Sequence, residues 1–404
     1  QPVKLLNNNN NNIGNNNTAV GFQASQLSNA NDNTIIGAAA GQSNTTGSGN
    51  TTLGSNALSS AVSSSSNIAI GFSSIRNATT PGNDNIAIGD NTLSSATFTG
   101  LSNTCLGKNS MVSTTTGFNN ISVGEQSMNG VTSGFNNIAI GISALDQILG
   151  SDHNIAIGTN ALGGNLTAIE TIAIGHDSML LNTIGIENTA VGIRTLATNT
   201  AGSANTALGF EVLQLNTGSD NTAVGTRTLK NNSTGINNTA IGSFSQFNTT
   251  IGSHNTSVGY NALLTNTTGV DNTGIGNLEL LVGTANDYCT AVGTEALRSY
   301  NNTGPGANLT AVGAFALNNV STGTRNVAVG YSSSQTLTIG NNNTSIGYET
   351  LKSSTSSNNT AVGDRALTSN TSGNFNTAVG AGALLANTTA SDNTAVGFNA
   401  LNLN

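Results

Sequence analysis

The chain has 404 residues, of which only 7% are charged and 4% aromatic, and it contains no Trp. Ordinary soluble domains have about 25% charged residues, so this composition argues against an ordinary globular enzyme. The formal net charge is −8, and the ten Lys and Arg residues form no basic cluster. We therefore expect neither nucleic-acid binding nor attachment to anionic membranes, and no apolar run is long enough to predict a membrane span.

The first predicted element is an Asn-rich arm with a partial coil, at residues 1–16. Residues 17–404 are predicted to form one continuous repeat domain, because the phrase Asn-Thr-Ala-Val-Gly or a close variant recurs 23 times. Successive copies are 16 to 18 residues apart, except for a 20-residue step from Gly293 to Gly313. That longer step contains Pro305 and predicts a protruding turn.

The repeat has the consensus N-T-A-V-G-x-x-A-L-x-x-N-T-T-G-x-N, numbered here as positions 1 to 17. Its β-branched residues, its frequent Gly and Asn and the lack of a 3.6-residue period favour strands over helices. A unit this short cannot bury its own apolar face, so successive units must stack. We predict an all-β fold, a parallel β-solenoid of about 23 coils that are about 4.8 Å apart and extend over roughly 105 Å.

Each row of equivalent residues has a predicted structural role. Stacked Asn side chains at position 1 are expected to hydrogen-bond along the coils, and Gly at position 5 fits a corner. The aliphatic residues at positions 2 and 4 and the Leu or Met at position 9 are predicted to form the interior. The residues that represent these rows are Asn17, Asn221 and Asn393; Val20, Val224 and Val396; Gly21, Gly225 and Gly397; and Leu229 and Leu401.

Self-association is expected for two reasons. The predicted interior is thin, and the small residues at position 3, mostly Ala or Ser, would let another chain approach, so we predict a trimer. The chain stops at position 12 of a coil and begins near position 13, which suggests head-to-tail filaments, with apolar residues such as Leu5 and Leu6 in the arm as a latch. A precursor cut at Asn404 is the competing explanation.

Three strings carry a resemblance to a known family: Ser-Asn-Ile-Ala-Ile-Gly at 66–71, Asp-Asn-Ile-Ala-Ile-Gly at 84–89 and Arg-Asn-Val-Ala-Val-Gly at 325–330. They resemble the head repeats of YadA-like trimeric autotransporter adhesins. The phrase N-T-A-V-G-x-x-A-L is also similar to repeats of tail-fibre-like surface proteins. The resemblance covers residues 17–404 and implies a left-handed β-roll, a homotrimer and a place on a cell or virion surface.

No motif for catalysis stands out from the repeat. His153, His176 and His254 occupy different coils, and the Asp residues that precede position 1, such as Asp84 and Asp220, are expected to cap turns rather than bind calcium. Most other charges follow the position-5 Gly and predict a solvated edge. We therefore expect no metal, no cofactor and no enzyme activity.

Two classes of function remain open from the sequence. The favoured one is a structural or adhesive extracellular fibre, because every repeated feature serves stacking. The alternative is a ligand-binding surface on the same scaffold that recognises ice or a polysaccharide, such as a cell-surface glycan receptor. Cys105 and Cys289 lie eleven coils apart, so no disulfide between them is expected.

Overall fold

The computed structural model describes residues 14–26, 29–76, 82–147, 150–164, 167, 169–280, 285, 287–300 and 307–403. The chain forms two compact units, Gln1–Ala204 and Asn205–Asn404. Throughout the described residues the regular elements are short β-strands. Most of the predicted N-terminal arm, residues 1–13, and the predicted turn at Pro305 lie outside the described residues.

The first unit contains eleven strands among its described residues. They are β1 (Thr18–Val20), β2 (Thr34–Ile36), β3 (Thr51–Leu53), β4 (Ile68–Ile70), β5 (Ile86–Ile88), β6 (Thr104–Leu106), β7 (Ile121–Val123), β8 (Ile138–Ile140), β9 (Ile155–Ile157), β10 (Ile172–Ile174) and β11 (Thr189–Val191).

The second unit contains twelve strands among its described residues. They are β12 (Thr206–Phe210), β13 (Thr222–Thr226), β14 (Thr239–Ile241), β15 (Thr256–Val258), β16 (Thr273–Ile275), β17 (Thr290–Val292), β18 (Thr310–Val312), β19 (Val327–Val329), β20 (Thr344–Ile346), β21 (Thr360–Val362), β22 (Thr377–Val379) and β23 (Thr394–Val396).

Within each unit, consecutive strands pair in parallel with equivalent residues opposite each other. In the second unit, for example, Ala223 pairs with Ala240, and Val224 pairs with Ile241. Every strand begins at position 2 of the repeat, and the corner Gly of position 5 follows the aliphatic residue at position 4. The predicted all-β, parallel β-solenoid with a spacing of about 17 residues is confirmed.

Of the three rows that the sequence predicted for the interior, position 9 is buried, whereas positions 2 and 4 are not. Position 3 is the buried row, and Ala223 in its middle has no exposed surface. Val20 and Val224 at position 4 are only partly buried, and Val396 is 71% exposed. The prediction that the position-4 residues stack inward and that position 3 faces outward is therefore wrong.

The narrowness of each coil explains the reversed faces. The long side chain at position 9 fills the space inside the coil, and Leu229 is completely buried there. At Gly274, which stands at position 3, an added Cβ would lie 3.1 Å from Cγ of Leu263, a position-9 residue. Only a methyl-sized group fits against such a leucine. The position-3 row is small because the opposite wall of the same chain approaches it.

Backbone conformation at the corners is also regular. Gly225 has φ of 142°, and an added Cβ would lie 2.6 Å from the carbonyl oxygen of Gly242 in the next coil. In nearly every coil, positions 7, 9 and 17 are left-handed although most are not Gly; Arg227, Leu229 and Asn237 have φ of 54°, 49° and 56°. This conformation costs roughly 1–2 kcal/mol for an ordinary residue. The contacts between coils must offset that cost many times over in each unit.

Candidate interaction surface

The position-1 asparagines connect the coils. The Asn221 side-chain carbonyl accepts hydrogen bonds from the main-chain N–H and the side-chain amide of Asn238, at 3.0 and 3.2 Å. The Asn221 amide donates to the Gly235 carbonyl oxygen at 2.9 Å, across its own coil. Asn17 accepts from the Asn33 main-chain N–H in the same way, at 2.9 Å. Because their polar groups are used within the chain, these side chains hold the fold rather than a ligand.

A second row of buried asparagines, at position 12, was missed by the sequence analysis. The Asn199 amide donates to the Gly202 carbonyl at 2.8 Å, and the Gly202 N–H donates back to Asn199 Oδ1 at 3.0 Å. The fixed spacing of three residues between this Asn and the position-15 Gly was the signal, since such a pair can close a tight turn. The members of the row that are buried are Asn44, Asn182, Asn199, Asn216, Asn232, Asn266, Asn370 and Asn387.

The remaining representatives of the predicted rows lie near the chain ends. Gly21 and Gly397 have φ of 140° and 131°, close to that of Gly225. The Asn393 main-chain N–H donates to Asn376 Oδ1 at 3.0 Å. Leu401, in the last coil, is 51% exposed, in contrast to the buried Leu229.

The side chains at positions 2 and 4 form what we call the outer strand face. In all 23 strands position 2 is Thr, Ile or Val, and position 4 is Val, Ile or Leu. Many are well exposed, including Leu53 at 49%, Ile140 at 40% and Ile346 at 41%. No charged residue lies within any of these strands. The outer strand face is therefore neutral in both units. It is largely aliphatic in the first unit, whereas in the second unit nearly every strand combines Thr at position 2 with an aliphatic residue at position 4.

This face is large for an exposed apolar surface. With about 10 Å along each strand and about 4.8 Å between strands, it covers roughly 500 Å² in the first unit and roughly 600 Å² in the second. The largest apolar patch of an ordinary monomer is about 300–600 Å² and often marks an interface. Each unit alone thus presents an uncharged face of this size, mostly aliphatic in the first unit and about half Thr in the second.

Two carboxylates near the corners form ion pairs with Lys and Arg side chains. Glu211, whose side chain is 8% exposed, contacts Lys230 Nζ at 2.7 Å and Arg227 Nε at 3.0 Å. The hydrogen bond from Lys230 is the main cause that lowers the pKa of Glu211, with Arg227 adding to it. Glu349 contacts Lys352 of its own coil at 2.6 Å and Arg365 of the next coil at 3.4 Å. The predicted solvated edge thus contains ion pairs that join neighbouring coils.

Aromatic residues stack beside these ion pairs. The Arg227 guanidinium lies 5.9 Å from the Phe210 ring and 6.0 Å from the Phe244 ring. The Tyr331 and Tyr348 rings are stacked with their centroids 5.5 Å apart. Because these rings pack on one another along the coils, their contacts extend the stacking of the solenoid.

A shallow groove of about 560 Å³ lies in the second unit, on the turns that follow position 10. Asn231 donates to Asn248 across it at 3.3 Å, and the Thr250 hydroxyl donates to the Thr267 carbonyl at 3.1 Å. Amides and hydroxyls of this kind can also contact a hydroxyl-rich ligand. The residues that line the groove are Leu215, Asn231, Asn248, Thr250, Thr265 and Thr267.

The residues with potential metal or redox chemistry are scattered. Among the described residues, no group of three His, Cys, Asp or Glu side chains could hold a metal ion. Cys105 and Cys289 are both buried and free. Burial raises the pKa of the Cys105 thiol far above its usual range and that of Cys289 to about 12, so both are neutral.

The described part of the chain contains no helix with the length and apolar character that crossing a membrane requires. No protein-family model matches the sequence, and a search of curated proteins finds no significant match.

Proposed function

We propose that this chain is a structural rod of an extracellular fibre, on a cell or virion surface, and that copies of it associate side by side through the outer strand face. The observation that carries the proposal is the contrast between the two sides of the strands. The inner side is closed by the Ala and Leu rows of the same chain. The outer side presents aliphatic and Thr side chains from all 23 strands to solvent.

A second copy of the same chain fits this face better than a charged partner does. The chain carries a net charge of −8, which opposes the approach of two copies at most surfaces. The outer strand face has no charge to repel or to be desolvated. Two such faces also share one repeat spacing, so a contact made by one coil recurs at the next. We therefore assign this face, and not the position-3 row, as the site of self-association.

Three chains are the expected number. The resemblance of the Ile-Ala-Ile-Gly and Val-Ala-Val-Gly strings to YadA-like head repeats implies a trimer, in which each chain would direct its outer strand face towards a common axis.

Recognition of a ligand is the second candidate. The outer strand face is a weak candidate for ice binding, because position 4 is aliphatic in every strand and no strand presents Thr at both outward positions. The groove between Asn231 and Thr267 favours a polysaccharide, whose hydroxyls its amides and hydroxyls can contact. Adhesion through a glycan would be compatible with a trimeric rod, since the groove does not involve the outer strand face.

Charged substitutions on the outer strand face test the proposal. We expect the wild-type chain to show three times its monomer mass in light scattering. The triple variant Val224→Asp, Val258→Asp, Val292→Asp should show the monomer mass and keep its β-sheet circular dichroism, because each carboxylate would be desolvated at the contact.

The control replaces Thr234, an exposed residue at position 14, with Asp. It adds a negative charge to a turn and should leave the trimer intact. A monomeric wild type over the whole accessible concentration range, or a triple variant that associates as strongly as the wild type, would refute the assignment of the face.

A further inference from the structure

At position 8 of the coil, the side chain donates hydrogen bonds to main-chain carbonyls where the residue is Thr. This position is Ala, Ser or Thr in almost every coil and lies beside the corner Gly. Thr92 Oγ1 donates to the carbonyl oxygens of Gly89 at 2.8 Å and Gly107 at 3.0 Å. Thr228 donates to the Gly242 carbonyl at 2.6 Å. The polar groups that these hydroxyls contact are main-chain carbonyls, which only accept.

Glu279 occupies this position in the coil that begins with β16. Its side chain is completely buried, and neither carboxylate oxygen has a hydrogen-bond partner. Oε1 lies against the corner glycine, since a Cβ added to Gly276 would be 2.1 Å from it. Glu279 therefore places an acceptor where the coils with Thr place a donor, unless its carboxyl group carries a proton.

The described residues of the neighbouring coils offer no ion-pair partner to Glu279. The equivalent residues before and after Glu279 are Ala262 and Ala296. Glu295 and Arg298 on the following coil pair with each other at 3.0 Å, and no described Lys, Arg or His forms an ion pair with Glu279. The other ionisable residues of the three coils are Tyr260 and Asp271 before it, Asp287 and Tyr288 on the same coil, and Cys289 and Tyr300 after it.

We propose that Glu279 is a proton-binding site that makes this part of the second unit sensitive to pH: the neutral carboxyl group takes the place of the Thr hydroxyl at position 8, and its ionisation loosens the coil. The arrangement depends on the solenoid alone and not on the proposed self-association. Loss of the proton would leave a buried, unpaired charge, which is strongly unfavourable. Local opening towards solvent would relieve it.

The direction of the pH effect follows from the folded environment. Burial raises the pKa of Glu279 from its ordinary 4.5 to about 7, and its own main-chain amide is a smaller opposing influence. The folded state thus holds the proton more tightly than the unfolded chain. The stability that the neutral group contributes is complete below about pH 4.5 and is lost as the pH rises to about 7.

Hydrogen exchange of the full-length protein tests this site. The amides of Leu280 and Thr290 donate to the adjacent coil and should report its opening. For each amide, the quantity to compare is the ratio of its protection factor in the wild type to that in Glu279→Gln at the same pH. We expect this ratio to fall at least about tenfold between pH 5 and pH 8. Taking the ratio at each pH removes the intrinsic dependence of exchange on hydroxide.

Two further measurements separate titration from a merely structural effect. Glu279→Ala, with the commonest residue at position 8, should remove the same pH dependence even if Glu279→Gln folds poorly. The infrared band of a protonated carboxyl group should be present in the wild type at pH 6 and missing from Glu279→Gln. A protection ratio that stays constant within about twofold, or the absence of that band from the wild type, would overturn the proposal.

Discussion

The two units have the same kind of interior but differ on the outer strand face. Five strands of the first unit, β4, β5, β8, β9 and β10, read Ile-Ala-Ile, so both outward positions are apolar. In the second unit, eleven of the twelve strands begin with Thr, and the exception, β19, begins with Val. The buried position-3 residue is mostly Ala in both.

This difference shows what the outer strand face requires. Thr, Ile and Val have in common a branch at Cβ, which favours strands, and they differ in polarity. A face that had only to be solvated would gain nothing from exposed isoleucines such as Ile121, which is 41% exposed. A face that ordered ice would need its Thr rows uninterrupted. The interchange of Thr and Ile at position 2 is what we would expect of a surface that is covered by another chain. We expect the contact to be tighter in the first unit, because more of its outward residues are Ile.

The largest expected effect concerns the buried position-3 row, which both units have. Ala223→Asp places an unpaired charge at a site with no exposed surface, so we expect the second unit to lose about 3–5 kcal/mol of stability. Val224→Asp, one residue away on the outer strand face, should cost less than about 1 kcal/mol in the monomer. Chemical denaturation followed by circular dichroism measures both. If Val224→Asp lost more stability than Ala223→Asp, the sequence-based prediction that position 4 faces the interior would be right after all.

Exchange of Ile and Thr sharpens the difference between the units. Replacing Ile138, Ile155 and Ile172 with Thr should weaken association by about 1 kcal/mol for each position, because less apolar surface is buried. Replacing Thr239, Thr256 and Thr273 of the second unit with Ile should strengthen it by a similar amount. Sedimentation equilibrium gives the association constants. Equal constants for the wild type and both variants would mean that the outer strand face is not the contact.

The smallest expected effect concerns an ion pair found in the second unit. Glu211→Gln should lower stability by about 1–2 kcal/mol at neutral pH, because Lys230 and Arg227 lose their charged acceptor. The lowered pKa of Glu211 means that its contribution is present above its unfolded pKa and is lost as the pH falls through the folded value. The difference from the wild type should therefore shrink in acid.

Glu125→Gln in the first unit is the control for this change. Glu125 is exposed and lies just after the corner Gly, at position 6. Its substitution should change stability little at any pH. Urea denaturation at several pH values distinguishes the two variants. If Glu125→Gln lost as much stability as Glu211→Gln, the negative charge itself, and not the ion pair, would account for the effect.

The repeat period was enough to predict the solenoid, because a fixed spacing of Gly and β-branched residues leaves few ways to bury apolar surface. It was not enough to decide which side of the strand faces inward. Hydrophobicity ranked Val224 above Ala223 as a core residue, whereas the leucines at position 9 leave little space at position 3, as the approach of Leu263 to Gly274 shows. Side-chain volume decides this in a coil that is one side chain wide.

Two other features could not be predicted from the repeat pattern. The left-handed backbone at Leu229 contradicts the local preference of leucine and becomes visible only once the coil is closed. Glu279 looks like one more surface charge in the sequence, but the repeat position puts it inside. Comparing each charge with the other occupants of its repeat position would have identified it, since Ala, Ser and Thr predominate there.

The contacts between strands have a mechanical consequence. Within each unit, every strand of the described residues contacts only the strands before and after it in the chain. A force applied to the end of a unit is therefore borne by one interface at a time, and coils should peel away in succession. Each detached coil would release roughly 50 Å of extended chain. Single-molecule pulling would then show repeated small steps in place of one abrupt rupture, so a unit could yield under load and dissipate work while most of its length stayed folded.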